Sequence, residues 1–167
     1  MKFFDIIASR ANEFLGGKRG GKAPVHPNDH VNCSQSTNDV FPTAIHVAAA
    51  LETSRRLLPA LRALRATLDG KAEDFKDIVK IGRTHLQDAT PLTLGQEFSG
   101  YVDQLRIVLE VIESGLDPVF ELPAGGTAVG TGLNAKPAYA EGVAEATEKR
   151  SGLPFRSAPN KFAQLGG

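Results

Sequence analysis

The residue best suited to acid–base chemistry is the histidine of Gly82-Arg83-Thr84-His85-Leu86-Gln87-Asp88-Ala89-Thr90-Pro91. It stands between Thr84 and Gln87 in a segment read as a loop before Pro91. An imidazole there can serve as a general acid or base, giving or taking a proton. A solvated loop histidine with no chemical task would look the same. A second cluster, Ser36-Thr37-Asn38-Asp39, precedes a helix expected to start near Pro42. Hydroxyls, a carboxamide and unpaired backbone N–H groups would meet at that helix N-terminus, which attracts anions. A plain N-cap needs only one such residue and is the simpler account.

Three further features invite a chemical reading. His26-Pro27-Asn28-Asp29-His30 places two histidines around a carboxylate, as a metal site would, yet Pro-Asn-Asp is turn chemistry and no third strong ligand is near. No metal is therefore assigned. His46 lies in a predicted helix beside Val47 and Ala48, where a structural role suits it. Gly125-Gly126-Thr127-Ala128-Val129-Gly130-Thr131-Gly132 lacks the lysine of a phosphate loop, follows no recognisable strand and does not fit dinucleotide spacing. Its glycines allow close backbone approach, leaving Thr127 and Thr131 to bond a ligand or a neighbouring chain.

The elements that must position these loops read as helices. Phe4, Ile7, Ala8, Ala11, Phe14 and Leu15 share one face of a first helix that Gly16-Gly17 ends, and Gly20, Gly21, Pro24 and Pro27 make the following segment irregular. After Pro42, Val47, Leu51, Leu57, Leu58, Leu61, Leu64 and Leu68 recur at helical spacing, with a break or kink expected near Pro59 and an end at Gly70. A short helix over 72–79 leads to the His85 segment. Thr93 can cap a third helix, in which Leu94, Phe98, Tyr101, Leu105, Val108, Leu109 and Ile112 form a core-facing stripe. Gly115 and Pro118 close it, and helix resumes over 138–151. No alternating strand pattern competes. The fold class expected is all-α, a helix bundle whose loops hold the site.

Composition sets the outer bounds. At 167 residues the chain is the size of one domain. Nineteen Lys plus Arg balance nineteen Asp plus Glu, which gives no electrostatic footprint for nucleic acid or an anionic membrane. Arg55, Arg56, Arg62 and Arg65 share a helix with Glu52 and read as a solvated face. The single Cys33 cannot form an internal disulfide and points to a reducing compartment. Met1-Lys2-Phe3-Phe4 begins like a signal peptide, but Asp5, Arg10, Asn12 and Glu13 interrupt the apolar run. No stretch reaches membrane-spanning length.

Taken in order, five segments carry a resemblance to class II fumarases (fumarate hydratases) of the aspartase/fumarase superfamily. They are Val25-His26-Pro27-Asn28-Asp29-His30-Val31-Asn32, Ser34-Gln35-Ser36-Thr37-Asn38-Asp39, the His85 decapeptide with Leu94-Gly95-Gln96-Glu97-Phe98, Gly125 to Asn134, and Ala158-Pro159-Asn160-Lys161-Phe162. The likeness runs from Ile7 to Leu165. His85 resembles fumarases, since aspartases typically carry Gln there.

The resemblance implies reversible anti addition of water to fumarate, giving L-malate, without metal or organic cofactor. It implies that Ser36, Thr37, Asn38 and Thr84 bind the substrate carboxylates and that His85 handles the proton of the adding or departing water. His26, Pro27, Asn28 and Asp29 match a second, non-catalytic dicarboxylate site. Such chemistry builds a second negative charge on a carboxylate, so preorganised donors and a neutral-pH acid are what it needs. The family's Gly-Ser-Ser loop with its Lys and Asn, its upstream Gly-Ser-Gly-Thr segment and its third domain have no match here. The chain is accordingly expected to be an internal piece, with 1–33 the tail of an amino-terminal domain and 34–167 part of the central bundle. A homotetramer in the cytoplasm, or in the mitochondrial matrix of a eukaryote, is the implied setting. The competing expectations are a non-catalytic helical assembly module and another lyase of the superfamily, of the ammonia or argininosuccinate type.

Overall fold

A computed structural model of the chain describes residues 3–165. Met1, Lys2, Gly166 and Gly167, the outer ends of the two expected domains and of the signal-like start, lie outside the described residues. Helices dominate, in agreement with the all-α expectation: α1 (Phe3–Phe14), α2 (Thr37–Glu52), α3 (Leu58–Asp74), α4 (Leu94–Val119), α5 (Tyr139–Ser151) and α6 (Lys161–Leu165). Two compact units emerge. One comprises the described residues up to Val47 together with those from Phe120 onward; the other is Ala48–Val119.

In the first unit, α1 buries Phe4, Ala8 and Asn12 at four-residue spacing, while Ile7, Phe14 and Leu15 are exposed. The buried stripe is therefore narrower than expected and turns toward a polar residue. Asn12 explains why. Its Nδ2 donates to Gly21 O (2.8 Å) and Val25 O (2.9 Å), and its Oδ1 accepts from Val25 N (2.7 Å). A fully buried carboxamide with these bonds fixes an otherwise irregular connector. That connector contains one π-helical turn, Pro27–Val31. Further along, β3 (Glu121–Leu122) pairs in parallel with β4 (Arg156–Ser157), burying Leu122 beside the edge-on rings of Phe120 and Phe155.

Ala48–Val119 contains α3 packed on α4, with Leu58, Leu109 and Leu116 buried. Two expected helix ends move. Gly70 lies inside α3, which continues to Asp74, and Gly115 and Pro118 lie inside α4. A single helix-interior glycine is unfavourable by only about 1 kcal/mol relative to alanine, which tertiary packing overcomes. Here the Phe75 ring, 5.4 Å from that of Phe98, anchors the end of α3. The break expected near Pro59 takes the form of a π-helical turn, Thr53–Leu57, directly before α3. A wider turn makes room for a ring that clashes with the carbonyl four residues back.

The helix expected over 72–79 and the absence of strands are corrected. Val79–Thr84 (β1) and Gln87–Thr93 (β2) form an antiparallel hairpin. Its side chains are mostly exposed on both faces, so no period-two apolar pattern marks it. Backbone pairing holds it instead, together with Leu94 N to Ile78 O (2.8 Å) and Gly95 N to Phe75 O (2.9 Å) at its base. The register slips between Ile81 and Arg83, and a Cβ on Gly82 would stand 2.6 Å from Thr90 O. Glycine is what that close approach permits.

Candidate active site

Helix α2 starts at Thr37, well before the expected Pro42, so Ser36-Thr37-Asn38 forms its cap and first turn. Ser36 Oγ accepts from Asn38 N (3.2 Å), Ser36 O accepts from Val40 N (3.0 Å), and Ser36 N donates to Asp39 Oδ1 (2.8 Å). Ser36 thus caps the second amide of the helix, and Asp39 returns a bond to the cap's own N–H, as the acidic residue of a capping box does. Asn38 Nδ2 reaches across to Ala128 O (2.9 Å) in the glycine-rich loop. Thr37 and Asn38 are otherwise exposed, on a groove of ≈ 400 Å³ shared with Phe41 and Ile45. Part of the helix-end donor capacity expected for a ligand thus serves the chain itself.

The glycine-rich loop meets α2 through Asp39, which has no solvent exposure. Its Oδ2 accepts from Gly125 N (3.0 Å) and Thr127 N (2.8 Å). Gly125 has φ +88°, and a Cβ there would lie 2.6 Å from Ala140 Cβ; Gly130, at φ +98°, would set one 2.8 Å from Phe162 Cδ1. The glycines serve close packing, as their types imply. Lys161 Nζ donates to Leu122 O and Ser157 Oγ, both at 2.8 Å. Burial draws the Lys161 ammonium below its ordinary pKa, opposed by the charges of Glu141 and Asp39. Beside the loop opens a cleft of ≈ 320 Å³ lined by Asn32, Ser34, Ser36, Thr127, Thr131 and Asn134. The buried Oδ1 of Asn32 has no hydrogen-bond partner among the described residues.

The turn Pro27–Val31 gathers His26, Pro27, Asn28 and Asp29. His26 Nδ1 lies 2.9 Å from Asp29 Oδ2, and His26 N donates to His30 Nδ1 (2.8 Å). Pro27 is buried, while Asn28 and Asp29 are exposed. Among the described residues no cluster of three or more His, Cys, Asp or Glu side chains is placed to hold a metal ion. His46 Nδ1 bonds Glu121 O at 2.9 Å, the structural role expected of it.

Thr84 and His85 belong to the other unit. His85 and Leu86 are the two loop residues of the β1–β2 hairpin, at φ +49° and +61°, between the paired Thr84 and Gln87. Two successive positive φ values make a primed hairpin turn, which Asn-Gly fills without strain and His-Leu does not. Strain of this kind concentrates at functional sites. Thr84 and His85 are exposed, and Leu86 is 99% exposed. The imidazole therefore stands at a solvent-facing tip, free to meet a ligand or another chain.

Comparison with known proteins adds to this geometry. The family model described as lyase matches residues 5–166. The chain belongs to the lyase family. This lyase chain is 63% identical over 167 residues to the class II fumarate hydratase of Neisseria meningitidis, covering all of itself and 36% of that protein. It is 56% identical over 165 residues to the mitochondrial fumarate hydratase of Homo sapiens, covering 99% of itself and 32% of that protein. Among solved structures, the class II fumarase of Schistosoma mansoni matches with a TM-score of 0.90 at 41% identity, over 96% of this chain and 37% of that one. The chain spans about a third of the length of the curated relatives it matches.

Two residues that hold the glycine-rich loop were given no role of their own from the sequence. Asp39 had a signal, since Ser36-x-x-Asp39 before an apolar helix is a capping-box pattern. Its second set of bonds, to a loop more than eighty residues away, had none. Lys161 likewise bonds Leu122 O across 39 residues, a partner that no local pattern announces.

Proposed function

We propose that the protein to which this lyase-family chain belongs is a fumarate hydratase, adding water reversibly to fumarate to give L-malate. The observation that carries the proposal is the likeness to fumarate hydratases along the whole chain, at 56 to 63% identity. The chemistry of the candidate residues in each unit supports it. Ser36, Thr37 and Asn38 at the start of α2 offer hydroxyl and amide donors to a dicarboxylate, and such donors are what a developing aci-carboxylate requires. Thr84 and His85, on an exposed hairpin tip, supply a further hydroxyl and a group able to protonate departing hydroxide.

In this reading residues 1–33 are the tail of an amino-terminal domain and residues 34–167 part of a central bundle. The active protein is a homotetramer, working without metal or organic cofactor in the cytoplasm or the mitochondrial matrix. His26, Pro27, Asn28 and Asp29 form the second dicarboxylate site, held in shape by the His26–Asp29 pair. A chimera tests the proposal. Substituting this chain for the matching segment of the Neisseria enzyme should preserve fumarate hydration, followed by ultraviolet loss of fumarate and enzymatic assay of L-malate. A soluble chimera of native assembly that forms no malate would count against it.

A further inference from the structure

We infer that Asp39 is a positioning residue: its buried carboxylate latches the glycine-rich loop to the first turn of α2, setting the donors of Ser36, Thr37 and Asn38 in place. The inference rests on the proposed function only for the identity of the ligand.

Asp39 divides its two oxygens between two segments. Oδ1 accepts from Ser36 N at 2.8 Å, and Oδ2 accepts from Gly125 N at 3.0 Å and Thr127 N at 2.8 Å. The residue is fully buried. A buried carboxylate is tolerated only with compensation, and three charge-assisted bonds from backbone N–H groups provide it. The side chain next in sequence bonds the loop too, because Asn38 Nδ2 holds Ala128 O. The loop is thus gripped at residues 125, 127 and 128 from the start of one helix, and Lys161 holds the carbonyl of Leu122 just before it.

The role needs two acceptor oxygens. A neutral amide at position 39 has one acceptor oxygen, so it can serve Ser36 N or the loop amides but must turn an NH₂ toward the group it does not serve. Alanine serves none of them. The loop backbone at this point has no alternative of its own: Thr127 is non-glycine at φ +57° and buried, a conformation that persists only where its surroundings impose it.

The test is amide hydrogen exchange on the chain by NMR, for the wild type, Asp39→Ala and Asp39→Asn. In the wild type, Gly125 and Thr127 amides should exchange at least about ten-fold more slowly than that of exposed Val129, the scale expected for a bond to a charged acceptor. Equal rates overturn the latch without recourse to any variant. Asp39→Ala should remove the protection of Ser36, Gly125 and Thr127 together, while α5 amides such as that of Ala144 stay protected. Asp39→Asn should lose one set and keep the other. Retention of both sets in Asp39→Ala overturns the inference.

Fumarate titration, followed by the Asn38 side-chain amide, then separates positioning from mere stability. Affinity in Asp39→Ala should fall at least about ten-fold. If the loop amides are freed and fumarate binds as before, Asp39 positions nothing and the hydratase proposal is untouched. If the amides behave as expected but the wild-type chain does not bind fumarate, the latch stands, and the hydratase proposal is decided by malate formation in the chimera.

Discussion

His85 occupies the tip of a two-residue hairpin in a conformation that L-residues adopt reluctantly, and Leu86 beside it is almost wholly in solvent. If the imidazole handles a proton of the reaction, His85→Asn in the Neisseria chimera should lower turnover by about 100- to 10,000-fold with a smaller effect on substrate binding. An unchanged turnover number would remove it from the chemistry. At the start of α2, Asn38→Ala should weaken binding of fumarate and lower turnover together, because each bond lost to a charged group is worth about 1.5–3 kcal/mol. Normal affinity for competitive dicarboxylates in that variant would show that the helix end is not the anion site. His26→Ala should leave malate formation nearly intact while emptying the second dicarboxylate site in crystals. A variant as inactive as His85→Asn would mean that the two histidine roles are reversed.

At the scale of elements, the hairpin that carries His85 depends on how α3 and α4 meet. Gly95 opens α4 against the end of α3, where a Cβ would stand 2.4 Å from Ala72 O and 2.7 Å from Lys76 Cα, both backbone atoms. Neither can swing aside as a side chain would. Gly95→Ala should therefore destabilise by at least about 1–3 kcal/mol, the range for overpacking, and lower the midpoint of thermal unfolding seen by circular dichroism. A midpoint at or above the wild-type value would mean that the approach is looser than described. The same helix start carries a capping box, with Gln96 N bonded to Thr93 Oγ1 (3.1 Å) and Thr93 N to Gln96 Oε1 (2.9 Å). Thr93 was legible as a cap, and the hairpin before it was not. A hydroxyl three residues ahead of its partner is a local pattern, whereas a strand pair exposed on both faces leaves no period to read.

For the molecule as a whole, the apolar side chains left in solvent are large ones. Phe14 of α1 is 81% exposed and Val111 of α4 64%, and Tyr101, Ile107 and Val108 of α4 are also exposed. If the tetramer proposal holds, a second copy of the chain is the partner that covers them. The isolated chain should scatter light as a species heavier than its 17.8 kDa, and Val111→Lys should shift it toward the monomer. A strictly monomeric wild type across the micromolar range would defeat that expectation.

The helical character of the chain, the Thr93 cap and the lyase family were readable along the chain, because capping, apolar periodicity and motif spacing are relations between near neighbours. Tertiary structure alone decided that Gly70 and Gly115 lie within helices, that Asn12 ties down the connector, and that the glycine-rich loop closes on Asp39. Each of these turns on a contact whose strength comes from burial. A carboxylate that looks like a solvated cap in the sequence becomes the acceptor for three backbone donors once water is excluded from around it.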